Sequence, residues 1–296
     1  MHQSNLSLLQ AFSDYISKDL AALTNSLIDV NKVLVTITKS FSEEQIEDEF
    51  WKQHLEILLV KYTFHSFTLL EVINGTETKD CDDEILSFPD MPSIRILLRA
   101  LIENYLTIYY LIFEPKNSAE GEFRFYLYQL SGLNARQKFI VQTAENAQQL
   151  KDEKDECGKL ENLIENNRYF KSLKGSIRKD ILKRKNARIY GWEKMIENSD
   201  LHAESITQTW KLFSNTAHSE LLGTIQLRDY ILQPQYINSA ICSDIFIAIR
   251  LTSSLITNLK DNYFNAQKIF NQLSNDKITK LQLWTQLARQ KNDNVT

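Results

Sequence analysis

Two stretches carry residues that could do chemistry together. In the first, Arg95, Arg99 and Glu103 recur every fourth position, so on a helix they stack along one stripe. Placed 100° apart they span about 80° of arc, and Leu106, Tyr110 and Phe113 continue the same sector. The rest of this stretch is apolar on nearly every face, which marks a buried helix. Charges on such a helix need partners or a polar cavity. Paired arginines can hold phosphate or carboxylate with planar forks, and Glu103 can orient them or act as a base. The competing reading is a buried ion-pair network that only fixes how the helices meet.

In the second stretch, Ser214 and His218 are also four apart, and with Lys211 they flank an apolar stripe of Ile206, Trp210, Phe213, Ala217 and Leu221. Imidazole can serve as general acid or base, for instance toward an RNA 2′-hydroxyl. It can equally be an ordinary half-buried polar contact. No acidic third member accompanies the pair, so a Ser-His-Asp triad is a weak reading. The candidate catalytic set is Arg99, Glu103, Ser214 and His218, with Arg95 and Lys211 as candidate phosphate ligands.

A third feature is basic. Residues 168–188 hold nine Lys or Arg against Asp180 alone, with Tyr169, Phe170 and Tyr190 nearby. Aromatics among cations can stack bases while the charges meet phosphate, so Arg178, Lys179, Lys183, Arg184, Lys185 and Arg188 are candidate nucleic-acid ligands. A solvated helix balanced by the acidic residues 152–165 explains the run as well. His54 and His65 share a helix face but lie about 16 Å apart along the axis, too far to hold one metal without other elements. No HExxH, Walker A, GxGxxG or zinc-finger spacing occurs, so neither a metal nor a cofactor is expected.

The elements that must position these groups are helical. Seven glycines and four prolines in 296 residues leave little turn punctuation. The expected fold is an all-α multi-helix bundle with the Arg95–Phe113 helix buried at its centre, read as one domain over residues 1–296. An N-terminal helical hairpin over about 5–74 would pack on the main bundle. Apolar residues from Leu6 to Leu34 keep helical spacing, and Ser42 with Gln45 resembles a capping box opening a helix that Asn74-Gly75 ends. The acidic stretch up to Pro92 reads as an exposed loop. Further helices are expected from Ser118, over Lys151–Asn167, over Ala203–Leu222 with Gly223 as its C-terminal cap, near Gln235–Asn262, and over Asn265–Gln290.

The net charge of −4 argues against a wholly basic nucleic-acid scaffold. Three dispersed cysteines give no disulfide framework, and no secretory signal is evident, which fits the cytoplasm. The best membrane candidate, Ser239–Leu259, contains Asp244 and Arg250 and reads as a core helix, so no membrane partner is expected.

The pattern Arg95-x3-Arg99-x3-Glu103-x-Tyr105, then Gly191-Trp192, then Trp210-x3-Ser214-x3-His218 resembles a helical family of bacterial proteins known only as a domain of unknown function. The resemblance covers about residues 50–265 and carries over Arg99, Glu103, Ser214 and His218; Trp210 stands where that family is often tyrosine-like. More distantly, the chain resembles the HEPN superfamily (higher eukaryotes and prokaryotes nucleotide-binding domains). Its members are helical, often dimeric, and many are ribonucleases in toxin-antitoxin or phage-defence systems. Their signature sets an arginine, a polar residue and a histidine on one helix. Asn215 and His218 fit part of it, Phe213 or Ser214 stands where the arginine would lie, and Arg99 from the other helix is a replacement. The resemblance implies an RNA-directed protein, a metal-independent ribonuclease or toxin, with RNA, a protein partner or a second copy of the chain as partners. The alternative is a non-catalytic helical module that binds a partner protein or nucleic acid.

Overall fold

The structure, a computed structural model, describes residues 9–13, 16–43 and 49–289. It is an all-α multi-helix bundle. The main helices are α1 (Leu20–Glu43), α2 (Leu55–Ile73), α3 (Met91–Ile108), α4 (Ser118–Arg136), α5 (Ala144–Asn166), α6 (Arg168–Ser172), α7 (Gly175–Arg184), α8 (Trp192–Asn198), α9 (Ala203–Ala217), α10 (Leu221–Leu232), α11 (Ile237–Asn262), α12 (Phe264–Asn271) and α13 (Asn275–Arg289). Contacts group the chain into two compact units. The first gathers residues up to Ile46, Glu56–Thr107 and Ser199 onward; the second holds Glu47–Leu55 and Ile108–Asn198.

In the first unit, α11 packs against α1, α12 and α13. It is the most enclosed helix, with Ile245, Ala248, Ile249, Leu251, Leu255, Ile256 and Leu259 all sealed from solvent. Helix α3 buries Ile94, Leu98, Leu101, Ile102 and Tyr105 but leaves Arg99, Glu103 and Thr107 partly open along one stripe. At its C-terminal end α3 passes into a π-helical turn over Tyr109–Phe113 and stops at Glu114. In the second unit, α4 packs on α5 and α6 around Phe123, Leu127, Leu160, Ile164 and Phe170. Asn117 caps α4 by accepting from the Glu120 amide, as a polar N-cap should.

Several local expectations are corrected. The stretch before Pro92 is not plain loop: Thr76–Lys79 and Ile85–Phe88 pair antiparallel, entered through Gly75 at φ +94°, a backbone region that glycine adopts without strain. Ser42 lies in the last turn of α1 and opens no helix; α2 begins at Leu55, after a 3-10 turn over Phe50–Lys52. Gln45, Leu6 and Gln290 lie outside the described residues. The acidic helix starts at Ala144, not Lys151, with Thr143 as its N-cap. Gly223 sits inside α10 and caps nothing. Three helical stretches, rather than one, are long and apolar enough to cross a membrane by length and composition: Leu20–Phe41, Met91–Phe113 and Pro234–Asn262.

Candidate functional site

Helix α9 is amphipathic and buries Ile206 and Phe213, which turns Trp210, Ser214 and His218 toward one flank. His202 caps its start, its Nδ1 accepting from the Ser205 amide at 3.2 Å. The other end closes in a Schellman motif. The Glu220 amide donates to the Asn215 carbonyl at 2.9 Å and the Ser219 amide to Thr216 at 3.2 Å, while Ser219 adopts φ +55°. A serine therefore occupies the left-handed position where glycine is usual, and His218 is the C-cap residue just before it. Glycine is required four residues later for a different reason. A Cβ at Gly223 would lie 3.0 Å from the Asn215 carbonyl oxygen and from Thr216 Cα, so Gly223 lets α10 approach the end of α9.

This ending sets His218 against the α3 stripe. Arg99 Nη1 lies 3.0 Å from His218 Nε2. A guanidinium only donates, so Nε2 carries the lone pair and the ring proton sits on Nδ1 in this arrangement. Arg99 Nε donates to Glu103 Oε1 at 2.9 Å, and Trp210 Nε1 donates to the same oxygen at 3.1 Å. Glu103 is thus pinned from two elements. The Arg99 and Glu103 side chains are only about one-fifth and one-quarter exposed, at 19% and 26%, whereas His218 is exposed. The cluster is a guanidinium fixed at its Nε edge, with its Nη edge turned to an imidazole at the surface.

Other candidates stand apart from this cluster. Arg95 is buried, and its three nitrogens all have protein acceptors: Asp244 from Nε at 3.2 Å, Gln226 from Nη1 at 2.8 Å and Tyr230 from Nη2 at 2.9 Å. Its fork is already occupied, which gives it a structural part rather than an open phosphate-binding edge. Burial pushes the Asp244 carboxyl up to about 6, against the opposing pull of Arg95. The Ser214 hydroxyl donates to the Trp210 carbonyl at 2.7 Å, a helix back-bond that leaves it unlike an activated nucleophile. Lys211 is exposed on α9.

In the basic run of the second unit, Arg184 pairs with Asp180 at 2.8 Å, Lys185 pairs with Glu161, and Arg188 lies 3.7 Å over the Trp192 ring. Arg178 is half-buried, while Lys179 and Lys183 are exposed.

Two polar networks were not foreseen. Tyr105 donates to Asp200 at 2.5 Å, and Asn258 and Arg289 close the ring on the same carboxylate at 3.0 and 2.5 Å. In the second unit Arg124 is buried between Glu114 at 2.7 Å and Glu120 at 2.5 Å, donates to the Tyr110 carbonyl and lies over the Tyr110 ring. Its guanidinium is held above its ordinary pKa by Glu114, against the penalty of burial. The Glu120/Arg124 spacing was the available signal; the first network links positions up to 184 residues apart and left none.

Fold and cluster together define an all-α protein with an Arg-Glu-Trp-His constellation at the junction of two helices. Among known proteins, no family model matches the chain, and no curated protein and no solved structure matches it either. Among the described residues, no group of three or more His, Cys, Asp or Glu could hold a metal ion.

Proposed function

We propose that the protein is an HEPN-like, RNA-directed, metal-independent ribonuclease acting through Arg99 and His218. The observation that carries this reading is the 3.0 Å approach of Arg99 Nη1 to the exposed His218 Nε2. It brings a phosphate-binding fork and a proton acceptor within reach of one phosphodiester. An incoming phosphate takes over the Nη donors of Arg99 and releases the Nε2 lone pair. His218 then accepts the proton of the RNA 2′-hydroxyl, the 2′-oxygen bonds to phosphorus, and the 5′-oxygen leaves, taking a proton from water. Arg99 meets the charge that builds on the phosphorane oxygens. Glu103 and Trp210 are positioning residues that hold Arg99 in register. The products are a 2′,3′-cyclic phosphate and a free 5′-hydroxyl, and DNA is spared because it lacks the nucleophile.

The test is cleavage of labelled RNA in EDTA by the purified chain. His218→Ala is expected to lower the rate about 10²–10⁴-fold while leaving the circular dichroism spectrum intact. Cleavage that survives His218→Ala, or that requires added divalent metal, defeats the reading. A second reading is a non-catalytic module for a partner protein. It is favoured by α10, which exposes Leu221, Ile231 and Leu232 at 73%, 70% and 69% and buries no residue. Wild-type RNA binding no better than that of a neutral control protein would move the assignment there. A cytoplasmic location and homodimer formation belong to the same proposal; the first is checked by fractionation, since apolar helices are present, and the second by light scattering.

A further inference from the structure

The second unit contains two adjoining cavities, of about 470 and 540 Å³, that share Ser131 and Ala187 as lining. Each lies within the size range of small-ligand pockets, about 300–1,000 Å³. Together they follow one face of α4, on which Tyr128, Ser131, Gly132, Ala135 and Arg136 fall at helical spacing. Arg184 and Arg188 line the first cavity, and Arg136, His54 and Tyr128 the second. We infer that this groove is a binding site for single-stranded nucleic acid, with phosphates on the three arginines and bases against Tyr128 and His54.

The chemistry is specific to that ligand class. Arg188 is stacked 3.7 Å over Trp192, which fixes its plane. Arg136 and Arg184 are well exposed, at 47% and 65%. Asp180 and Glu156 also line the groove, but each is paired, Asp180 with Arg184 at 2.8 Å and Glu156 with Lys159 at 3.0 Å. Arg136 is paired with Glu153 at 3.1 Å. Arg184–Asp180 is a surface pair that a phosphate can exchange at small cost, whereas Glu153 is only 14% exposed and keeps Arg136, itself 47% exposed, in place at the groove wall. His54 is braced edge-on against Phe125, with ring centroids 5.0 Å apart, and burial lowers its pKa, which favours the neutral ring as a stacking surface. At Gly132 a Cβ would meet no atom within 4 Å, so the groove is open down to the α4 backbone. Aromatic faces and arginines lining one groove suit a single strand, whose bases are free to stack.

The inference rests on the RNA-directed reading, so its test separates the two. The probe is a fluorescein-labelled twelve-nucleotide single-stranded RNA, read by anisotropy in EDTA, on the His218→Ala chain so that the strand stays whole. That chain is expected to bind with a slope of log affinity against log salt of about −2 or steeper, the three groove arginines contributing about 0.7 each. Adding Arg136→Ala and Arg184→Ala, both at surface positions, should weaken binding at least tenfold and flatten the slope by about 1.4. Gly132→Phe should weaken it similarly by filling the groove, whereas Gly132→Ala should bind nearly as the parent does. If both the double-arginine and the Gly132→Phe chains remain folded and bind like the parent, the groove is not the site, and the RNA reading survives. If the parent chain binds no RNA, both ideas fall.

Discussion

At the scale of single residues, Asp244 has the clearest measurable consequence. Its carboxyl is pushed up to about 6 from an ordinary 3.8, chiefly by burial, so the folded chain holds that proton more tightly than the unfolded chain. The stability it contributes is therefore present at low pH and declines as pH rises from about 4 through 6. At neutral pH the loss is about 3 kcal/mol. Asp244→Asn keeps an oxygen that can accept from Arg95 and removes the titration. Urea unfolding at several pH values from 4.5 to 7.5 is expected to show the variant gaining on the wild type as pH rises. Parallel curves would mean that Asp244 does not titrate in this window. Glu103 makes a second prediction. Truncating it to alanine leaves the Arg99 Nε and Trp210 Nε1 donors half-buried without their shared acceptor, which should cost about 1–3 kcal/mol. An unchanged melting temperature would show that the cluster is not held through Glu103.

At the scale of elements, the turn from α9 to α10 decides where His218 sits. Ser219 holds φ +55°, a conformation that costs a residue with a Cβ roughly 1–2 kcal/mol. Ser219→Gly is expected to stabilise the chain by up to about 1 kcal/mol, read as a raised urea midpoint at constant slope. Gly223→Ala should do the reverse, because its Cβ would press on backbone atoms at 3.0 Å that cannot swing aside. If Gly223→Ala is neutral, the close approach of the two helices is softer than the geometry implies. Gly223→Ala should also lower any RNA cleavage, since its Cβ presses on Asn215 and Thr216, just before the C-cap histidine.

At the scale of the whole molecule, each unit has its own polar anchor and its own tight packing point. In the second unit a Cβ on Gly121 would lie 2.5 Å from the Trp51 ring, well inside contact distance. Gly121→Ala should destabilise that unit by about 1–3 kcal/mol through overpacking. Hydrogen exchange should locate the effect, with amides in 108–198 losing protection and those of α11 keeping theirs. Uniform loss along the chain would instead show that the units open together.

The all-α class was legible from the sequence because scarce glycine and proline, with apolar residues at spacings of three, four and seven, allow little else. The stripe Arg95, Arg99, Glu103 and the flank Ser214, His218 were legible for the same reason, since helical periodicity places residues on a face without knowledge of the partner. Three things needed the tertiary structure. Periodicity gives no distance between faces, so only the packed chain puts Arg99 on His218 while enclosing Arg95 with Asp244, Gln226 and Tyr230. Local propensity favoured Gly223 as the cap, but the chain reserves that glycine for close helix approach and turns at Ser219 instead. The two units interleave along the chain, with Glu47–Leu55 grouped with Ile108–Asn198. A division of that kind is set by long-range contacts, and those leave no periodic trace in the order of residues.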